Sequence, residues 1–323
     1  MTVRNKILIS NAGFGACNPQ ALLLLKERFD VIENTAGVRF DDDQFLKFSD
    51  GVSAIIAGTE KVTSKVIESS KGLKLVARVG AGVDSVDLAA AKEQKVSITY
   101  TPDAPAMAVP EFTLALMLAL VRKVAVSDSA MHRGQWLKPT GDSLGDLHVG
   151  IVGAGKIGRR VIEMLLAIYP GIRISYYDPS VAQIAGAHKS DLDTIIRETD
   201  ILSLHIPLME STKNLLNEQT ISQMKPGSYI INTSRGGVVD EKALYDALKR
   251  EHLAGAALDV FEQEPYKGDL KDLDNCILTS HIGSLTKQVR AVMEQQVVED
   301  VVSFFETKNL SRPLPGYDFS HKE

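Results

Sequence analysis

A glycine-rich stretch near the middle of the chain, HVGIVGAGKIG at residues 148–158, constrains the fold more than any other part of the sequence. The apolar run before it predicts a strand, and KIGRRVIEMLLAI after it predicts a helix. In such a turn Gly153 permits a tight bend, Gly155 lets the backbone approach a pyrophosphate, and Gly158 lets the helix pack on the strand. The helix that starts near Lys156 would direct its free N–H groups at the same anion, so we predict a dinucleotide-binding turn.

An acidic residue, Asp178, ends the next predicted strand, ISYYD, and lies 20 residues after Gly158. A carboxylate at this position accepts hydrogen bonds from the adenosine ribose hydroxyls and repels a ribose phosphate. The following Pro179 and Ser180 bring no arginine to receive that phosphate, so the sequence favours NAD over NADP. The alternative is that Asp178 only caps a turn.

The position of the glycine turn is unusual, because 147 residues precede it in a chain of 323. This length suggests two domains, and 44% hydrophobic with 24% charged residues is typical of folded proteins. The first hundred residues alternate predicted strands with predicted helices; the strands are at 6–10, 31–33, 53–58, 73–80 and 95–100, and the helices at 19–29, 62–70 and 86–94. This alternation predicts a parallel, doubly wound sheet. Asp41, Asp42 and Asp43 precede QFLKF and indicate a solvated helix start in preference to a metal site.

Three prolines in ten residues, TPDAPAMAVP at 101–110, interrupt this pattern and predict a hinge. Residues 111–132 then predict one long helix whose middle, LALMLALV, is apolar on more than one face, which favours burial against a second subunit. Further strands are predicted at 149–153, 173–177, 201–205, 229–233, 255–258 and 276–279, and a last helix at 286–305 is long enough to return to the first domain. We therefore predict a substrate domain at 1–101, an NAD-binding Rossmann domain at 102–288 and a return to the substrate domain at 289–323.

The composition argues against several classes of protein. A net charge of -5, a pI near 5.9 and the absence of a basic tract argue against nucleic acid as a partner. The two cysteines, Cys17 and Cys276, lie far apart and form no CxxC pattern, so neither a disulfide framework nor a metal site is predicted. The first residues lead directly into a strand without a leader segment, and the longest apolar run, 112–121, is about half a membrane span. We therefore expect a cytoplasmic protein that does not engage a membrane.

Three polar residues follow strands of the second half, where open α/β sheets bind their ligands. Arg235 follows YIINT, Glu264 follows GAALDV, and His281 follows NCILTS. Each has an ordinary explanation by itself, as a surface ion pair, a turn carboxylate or a loop histidine. Together, at one edge of a sheet beside a nicotinamide cofactor, they suit reversible hydride transfer to a 2-keto acid.

The chemistry of these side chains suggests a role for each. Arg235 has a planar set of donors that can hold a substrate carboxylate and polarise the adjacent carbonyl. His281 can give a proton to the carbonyl oxygen as the hydride arrives and take it back in the oxidative direction. Glu264, within hydrogen-bond reach of the imidazole, would fix its tautomer and favour its charged form. The NAD ring would supply the hydride.

Six segments in order resemble the D-isomer-specific 2-hydroxyacid dehydrogenase family, particularly its phosphoglycerate dehydrogenase-like branch: VGAGVDSVDL, VGIVGAGKIG, HIPLMESTKNLLN, INTSRGGVVDEKAL, AALDVFEQEP and HIGS. The resemblance implies an α/β fold of two doubly wound parallel-sheet domains, with a Rossmann NAD-binding domain inserted into a flavodoxin-like substrate domain. It also implies an NAD-dependent D-2-hydroxyacid dehydrogenase, a homodimer built on the helix at 111–132, and an active site in the cleft between the domains. Closure of that cleft is expected about a hinge near Thr101 and the start of the last helix.

The resemblance also implies the site residues. The catalytic set is Arg235, Glu264 and His281. Expected along the cofactor are Gly153, Gly155, Lys156, Ile157, Gly158, Asp178, Pro207, Thr233, Ser234, Arg235, Asp259, His281 and Gly283. Expected at the substrate are Arg78, Val79, Gly80, Ala81 and Gly82, with Arg235 and His281. Two assignments stay open, because Asp259 either braces its loop or contacts the nicotinamide amide, and Arg78 either contacts substrate or is a surface arginine.

Some features depart from particular relatives. Enzymes that act on 3-phosphoglycerate tend to carry a basic residue after the third strand, whereas here Ala57 and Gly58 are followed by Glu60, with Lys61 next to it. A phosphate site is therefore poorly supported, and we expect no regulatory domain. A formate dehydrogenase is disfavoured, because those enzymes have an amide where Glu264 stands. The remaining alternatives are an NAD(H)-sensing corepressor-like binding protein and a 3-phosphoglycerate dehydrogenase; the sequence does not specify the 2-hydroxy acid or the physiological direction.

Overall fold

The computed structural model describes residues 4–35, 37, 40 and 42–320, and these divide into two compact units. The first unit combines the described residues up to Pro105 with those from Leu285 onward, and the second is the continuous segment Ala106–Ser284. The second unit thus interrupts the first in sequence. The junctions predicted after residues 101 and 288 lie a few residues from the observed ones.

The first unit contains a five-stranded parallel sheet in the order β2-β1-β3-β4-β5. Its strands are β1 (Lys6–Ile9), β2 (Asp30–Glu33), β3 (Ala54–Ala57), β4 (Leu75–Arg78) and β5 (Ser97–Thr99), each within or next to a predicted strand. This strand order is the flavodoxin-like one, which reverses direction between β1 and β3.

Four helices connect these strands: α1 (Pro19–Arg28), α2 (Asp42–Ser49), α3 (Ser64–Ser69) and α4 (Leu88–Glu93). Polar side chains before α1, α3 and α4 accept hydrogen bonds from the first turn, which explains where these helices begin. Asp42 and Asp43 lie in the first turn of α2, as the sequence predicts, and Asp41 lies outside the described residues.

The prediction of one long helix at 111–132 is wrong, because two helices occupy this segment: α5 (Val109–Val121) and α6 (Val124–His132). They are separated at Lys123, whose φ of 54° is left-handed. The ammonium of Lys123 donates to the carbonyl of Ala254 at 3.2 Å and lies 5.2 Å from the ring centroid of Tyr229. These contacts with distant parts of the sequence stabilise the break.

The second unit contains a seven-stranded parallel sheet in the order β12-β11-β10-β9-β6-β7-β8. Its strands are β6 (His148–Val152), β7 (Arg173–Tyr177), β8 (His188–Lys189), β9 (Ile201–Leu204), β10 (Ser228–Asn232), β11 (Leu253–Leu258) and β12 (Cys276–Leu278). The helices that follow four of these strands are α7 (Lys156–Ile168), α8 (Leu192–Glu198), α9 (Glu218–Ser222) and α10 (Glu241–Lys249). This is the Rossmann order extended by one strand, so the predicted fold class is confirmed.

The last helix, α11 (Lys287–Glu306), belongs to the first unit. It packs on α1, where the rings of Phe29 and Phe305 lie 5.6 Å apart. The backbone N–H of Asn18 at the start of α1 also donates to Glu294, a fully buried acid of α11, at 2.9 Å. Among the described residues, no helix combines the length and the apolar composition that crossing a lipid bilayer requires.

Candidate active site

The glycine turn between β6 and α7 has the geometry that the sequence predicts. Gly153 has a φ of 90°, and a Cβ there would lie 2.5 Å from the carbonyl oxygen of His205. A Cβ on Gly158 would lie 2.0 Å from the oxygen of Gly153, so the helix packs directly on the turn. Around Gly155, the N-cap of α7, no described atom apart from the adjoining backbone and side chains of its chain neighbours lies within 4 Å of the position of a Cβ. The residues present therefore fit a pyrophosphate bound at this helix N-terminus.

Lys156 and Ile157 form the start of α7, where backbone N–H groups have no partner within the helix. Lys156 is exposed and Ile157 is half-buried. Both residues thus lie where the predicted pyrophosphate would meet the helix dipole.

The Asp178 carboxylate joins the end of β7 to the glycine turn. One of its oxygens accepts the N–H of Ala154 at 2.8 Å, and the other accepts those of Ser180 and Val181 at 2.8 and 3.1 Å. Asp178 therefore caps the turn after β7 and also fixes the residue that follows Gly153. Its contact with a ribose stays a prediction.

Three further residues expected along the cofactor follow β9 and β10. Pro207 is exposed after the end of β9. Thr233 is buried, with its hydroxyl 2.9 Å from that of Thr113 in α5. Ser234 donates its hydroxyl to the side-chain oxygen of Asn232 at 2.8 Å. All three lie at the carboxyl edge of the sheet that holds the glycine turn.

Arg235 extends from the tight turn that follows β10. It is half-buried, and its guanidinium donates to the carbonyl of Ser234 at 2.6 Å. Its own carbonyl accepts the side-chain amide of Asn232 at 2.9 Å. A Cβ on Gly236 would lie 1.9 Å from the carbonyl oxygen of Phe261, so this turn packs directly against the segment that leads to Glu264.

The structure brings Glu264 and His281 together. Nδ1 of His281 lies 3.1 and 3.0 Å from the two carboxylate oxygens of Glu264. The N–H of Phe261 also donates to one of those oxygens at 3.3 Å. A carboxylate accepts only, so the contact places a proton on Nδ1 and leaves Nε2 as the nitrogen that can exchange a proton with a ligand.

Asp259 braces the loop that carries His281, and it is 1% exposed. One of its carboxylate oxygens accepts the N–H of Ile282 at 2.8 Å and the hydroxyl of Thr279 at 2.6 Å, and the other accepts the N–H of Gly283 at 2.8 Å. The carbonyl of Asp259 accepts the N–H of His281, whose φ of 57° is left-handed. Such a conformation costs free energy, and the contacts with Asp259 offset it.

The loop after β4 in the first unit has two of its donors engaged internally. The N–H of Val79 donates to a β3 carbonyl at 2.9 Å, and that of Gly80, whose φ is 144°, donates to the hydroxyl of Thr101 at 2.8 Å. Four loop residues are expected at the substrate, and the N–H groups of Val79 and Gly80 are already engaged, so the predicted contact with a carboxylate now concerns Ala81 and Gly82.

Arg78 is not a surface arginine, because it is only 7% exposed. It ends β4, which lies between β3 and β5, and its guanidinium donates to the carbonyl of Val79. This position beside the loop excludes the surface alternative and leaves the predicted contact with substrate as a proposal.

Sequence reasoning missed Asn232 as a positioning residue. Its amide oxygen accepts the N–H and the hydroxyl of Ser234, while its amide nitrogen donates to the carbonyl of Arg235. A buried asparagine at the end of the apolar strand SYIIN was the available signal.

His205, which follows β9, lies against the glycine turn. Its Nε2 is 2.9 Å from the hydroxyl of Ser203, and its buried Nδ1 has no hydrogen-bond partner among the described residues. Burial lowers the pKa of His205 to about 4, so the ring is neutral near pH 7. The sequence feature that could have identified His205 was its position directly after β9, at the edge of the sheet that holds Gly153.

Comparisons with known proteins identify the family to which the chain is similar. A family model described as "D-isomer specific 2-hydroxyacid dehydrogenase, NAD binding domain" matches residues 114–283. The hydroxypyruvate reductase of Thermotoga maritima is 36% identical over 288 residues, covering 87% of this chain and 92% of the reductase. A D-3-phosphoglycerate dehydrogenase of Methanocaldococcus jannaschii is 35% identical over 318 residues, covering 92% of this chain and 59% of that protein. A crystal structure of a Thermus thermophilus protein superposes with a TM-score of 0.87 at 33% identity, covering 96% of this chain and 99% of that one.

Proposed function

The chain belongs to the D-isomer-specific 2-hydroxyacid dehydrogenase family and is therefore an NAD-dependent oxidoreductase, and we propose that Arg235, Glu264 and His281 carry out its reaction. The reaction is the interconversion of a small 2-keto acid and its D-2-hydroxy acid. The observation that carries this proposal is the contact of Glu264 with Nδ1 of His281, at the edge of the sheet that also holds the glycine turn.

The proposed proton transfer follows from that contact. Glu264 holds the imidazole through Nδ1, so Nε2 faces the reacting group and gives a proton to the substrate oxygen during reduction. In the oxidative direction Nε2 takes the proton back. The nicotinamide ring, when bound, donates or accepts the hydride.

Arg235 has the proposed role of substrate orientation. Its guanidinium can bind a carboxylate through two parallel N–H donors and withdraw electrons from the neighbouring carbonyl. Asn232 and the packing of Gly236 on Phe261 fix the backbone of this turn, so the guanidinium extends from a rigid base. In the first unit, the N–H groups of Ala81 and Gly82, with Arg78, are proposed to meet the substrate carboxylate.

The residues that would hold the cofactor are those at the carboxyl edge of the second sheet. The glycine turn and the start of α7 would receive the pyrophosphate, and the Asp178 carboxylate would receive the ribose hydroxyls. Pro207, Thr233, Ser234, Asp259 and Gly283 would lie along the rest of the cofactor. The charge of Asp178 supports NAD over NADP.

We also propose a homodimer formed through α5 and α6. In α6, Val124 and Met131 are 53% and 50% exposed, and the segment after it leaves Trp136 and Leu137 at 76% and 49%. Large apolar side chains clustered along one segment of sequence support burial against a second copy. A cytoplasmic location is proposed as well, since both cysteines are free thiols, which suits a reducing compartment.

The proposal is tested by measuring NADH oxidation with glyoxylate, hydroxypyruvate, pyruvate and phosphohydroxypyruvate. Turnover of at least one of these four keto acids, with the D isomer as product, is the expected result. Binding of NADH without turnover of any of the four keto acids would overturn the proposal and would indicate a cofactor-sensing protein instead.

A further inference from the structure

We propose that Glu241, the first residue of α10, is a positioning residue for Glu264. Its carboxylate holds the backbone of the loop that carries Glu264, and Glu264 in turn holds the imidazole of His281. This inference rests on the proposed function, because it concerns the pair of side chains to which proton transfer is assigned. Glu241 acts on the reaction only through this loop.

The Glu264 loop (residues 261–266) follows β11 and is closed on itself at two places. The rings of Phe261 and Tyr266 stack with their centroids 4.2 Å apart, and the N–H of Phe261 donates to the Glu264 carboxylate at 3.3 Å. Phe261 is buried, whereas Glu262 and Gln263 are exposed. The position of Glu264 therefore depends on how the backbone of these two exposed residues is held.

Glu241 holds that exposed backbone. One of its carboxylate oxygens accepts the N–H of Glu262 at 2.7 Å, which is within the normal range for such a hydrogen bond. The bond joins residues that are 21 positions apart in the sequence. It thus ties the start of α10 to the Glu264 loop, two residues before Glu264 itself.

The surroundings of Glu241 indicate that it is placed there for this hydrogen bond. Its side chain is half-buried, and burial raises the pKa of its carboxyl; the acids Glu262 and Asp240 add to this, and the N–H of Glu262 opposes it. Asp240 already caps α10 by accepting the N–H of Ala243 at 3.0 Å. The helix start is therefore capped without Glu241, and the contact with the loop accounts for the position of its carboxylate.

The turn that carries Arg235 packs on the same backbone. A Cβ on Gly236 would lie 1.9 Å from the carbonyl oxygen of Phe261 and 2.5 Å from the backbone nitrogen of Glu262. Residues 235–241 therefore contact the loop twice, through Gly236 at one end and through Glu241 at the other. These two contacts fix the Arg235 turn and the Glu264 loop relative to each other.

Loss of the Glu241 contact would release the part of the loop that leads to Glu264. Nδ1 of His281 is 3.1 and 3.0 Å from the two carboxylate oxygens of Glu264, so a small shift of the loop breaks this contact. A misplacement of about 1 Å among reacting groups can lower a rate by about 10²-fold. We therefore expect kcat to depend on Glu241.

The test separates the length of the Glu241 side chain from its charge. Glu241→Asp keeps the charge but shortens the side chain, so its oxygen no longer reaches the N–H of Glu262. Glu241→Gln keeps the length and an acceptor oxygen but removes the charge. We expect Glu241→Asp to lower kcat by about tenfold with little change in the KM for NADH, and Glu241→Gln to stay close to wild type.

Glu218→Asp is the matched control, because Glu218 is the exposed first residue of α9, as Glu241 is the first residue of α10. It should keep the kcat of the wild type. Both aspartate variants retain an acid at a helix N-terminus, so the helix dipole stays compensated and the variants are expected to fold. Thermal unfolding of each variant checks this.

A double-mutant cycle tests whether Glu241 acts through Glu264. In the background of Glu264→Gln, the further change Glu241→Asp should lower kcat by a smaller factor than it does in the wild type, because the contact that Glu241 positions is already weakened. An equal factor in both backgrounds would contradict a role that runs through Glu264.

The outcomes separate this inference from the proposed function. A wild-type kcat in Glu241→Asp, or an equal fall in Glu241→Asp and Glu241→Gln, would overturn the positioning role of Glu241. Absence of turnover by the wild type with every keto acid would instead overturn the proposed function.

Discussion

Nδ1 of His281 lies almost equally far from both carboxylate oxygens of Glu264, at 3.1 and 3.0 Å. The ring therefore has one orientation in which its proton on Nδ1 is shared by two acceptors. The backbone under the ring is held separately, because the carbonyl of Asp259 accepts the N–H of His281 and the Asp259 carboxylate holds the next two N–H groups. Side chain and backbone are thus positioned by different acids.

Replacing the imidazole should stop proton transfer. His281→Ala is expected to lower kcat by about 10²–10⁴-fold, the usual contribution of a general acid, while NADH binding changes little. Steady-state kinetics and fluorescence titration with NADH measure the two effects. His188→Ala removes an exposed histidine of the same unit and serves as the control. Turnover at the wild-type rate in His281→Ala would remove this residue from the proposed role.

Removing only the charge of Glu264 should lower kcat more than it changes KM. Glu264→Gln keeps one acceptor oxygen but loses the charge that favours the protonated imidazole, so we expect a fall in kcat of about tenfold or more. Glu262→Gln, an exposed change two residues away, should behave as wild type. An equal fall in kcat in both variants would indicate a general disturbance of this loop and would contradict the role of Glu264.

The charge of Asp178 should set the choice of cofactor. Asp178→Ala is expected to raise the ratio of kcat/KM with NADPH to that with NADH by about tenfold, because the carboxylate that repels the ribose phosphate is gone. Absolute rates should fall, since the variant also loses three backbone hydrogen bonds. Asp193→Ala, an exposed acid in α8, controls for charge in general. An unchanged ratio would mean that Asp178 does not meet the ribose.

His205 should make the folded state sensitive to acid. Its folded-state pKa of about 4 lies below the ordinary value of 6.5, so its contribution to stability is present above pH 6.5 and is lost as the pH falls toward 4. Between pH 7 and pH 5 the loss from this group is about 2 kcal/mol in the free energy of unfolding.

Urea unfolding at pH 7 and pH 5 measures this loss. His205→Gln should lose less stability than wild type over the same interval, because glutamine does not titrate. His132→Gln, at an exposed histidine of α6, should lose as much as wild type. The same loss in all three proteins would contradict the assignment to His205.

Charge placed on α6 should dissociate the proposed dimer. Met131→Glu is expected to shift the protein toward monomer in sedimentation velocity, because a carboxylate buried in an interface without a partner costs several kcal/mol. Met209→Glu is a matched control, since Met131 and Met209 are 50% and 52% exposed in the same unit. If Met131→Glu sediments as the wild type does, the proposed interface does not include this part of α6.

Much of the fold was predictable from local sequence patterns. Short apolar runs bounded by glycine and polar residues predicted both sheets, and the glycine turn predicted where the second sheet begins. The short strand β8 escaped prediction, because its two residues, His188 and Lys189, are exposed and carry no apolar pattern.

The features that the sequence did not predict depend on contacts between residues far apart in the chain. Lys123 interrupts the helix at 111–132 through the carbonyl of Ala254 and the ring of Tyr229, and neither partner is near it in sequence. The burial of Arg78 follows from the position of β4 between β3 and β5 in its sheet. The sequence could place Asp259 and His281 at the same edge of the second sheet. It could not show that the Asp259 carboxylate accepts the N–H groups of the two residues after His281.

The interruption of the first unit by the second sets the order in which the two can be completed during synthesis on the ribosome. Residues 106–284 are continuous and emerge whole, whereas the strands β1–β5 emerge earlier and must wait for α11. At ordinary translation rates the wait lasts about ten seconds or longer. Through that interval Phe29 lacks Phe305 and Asn18 lacks Glu294, so the first unit stays incomplete, with part of its apolar surface uncovered, until α11 has emerged.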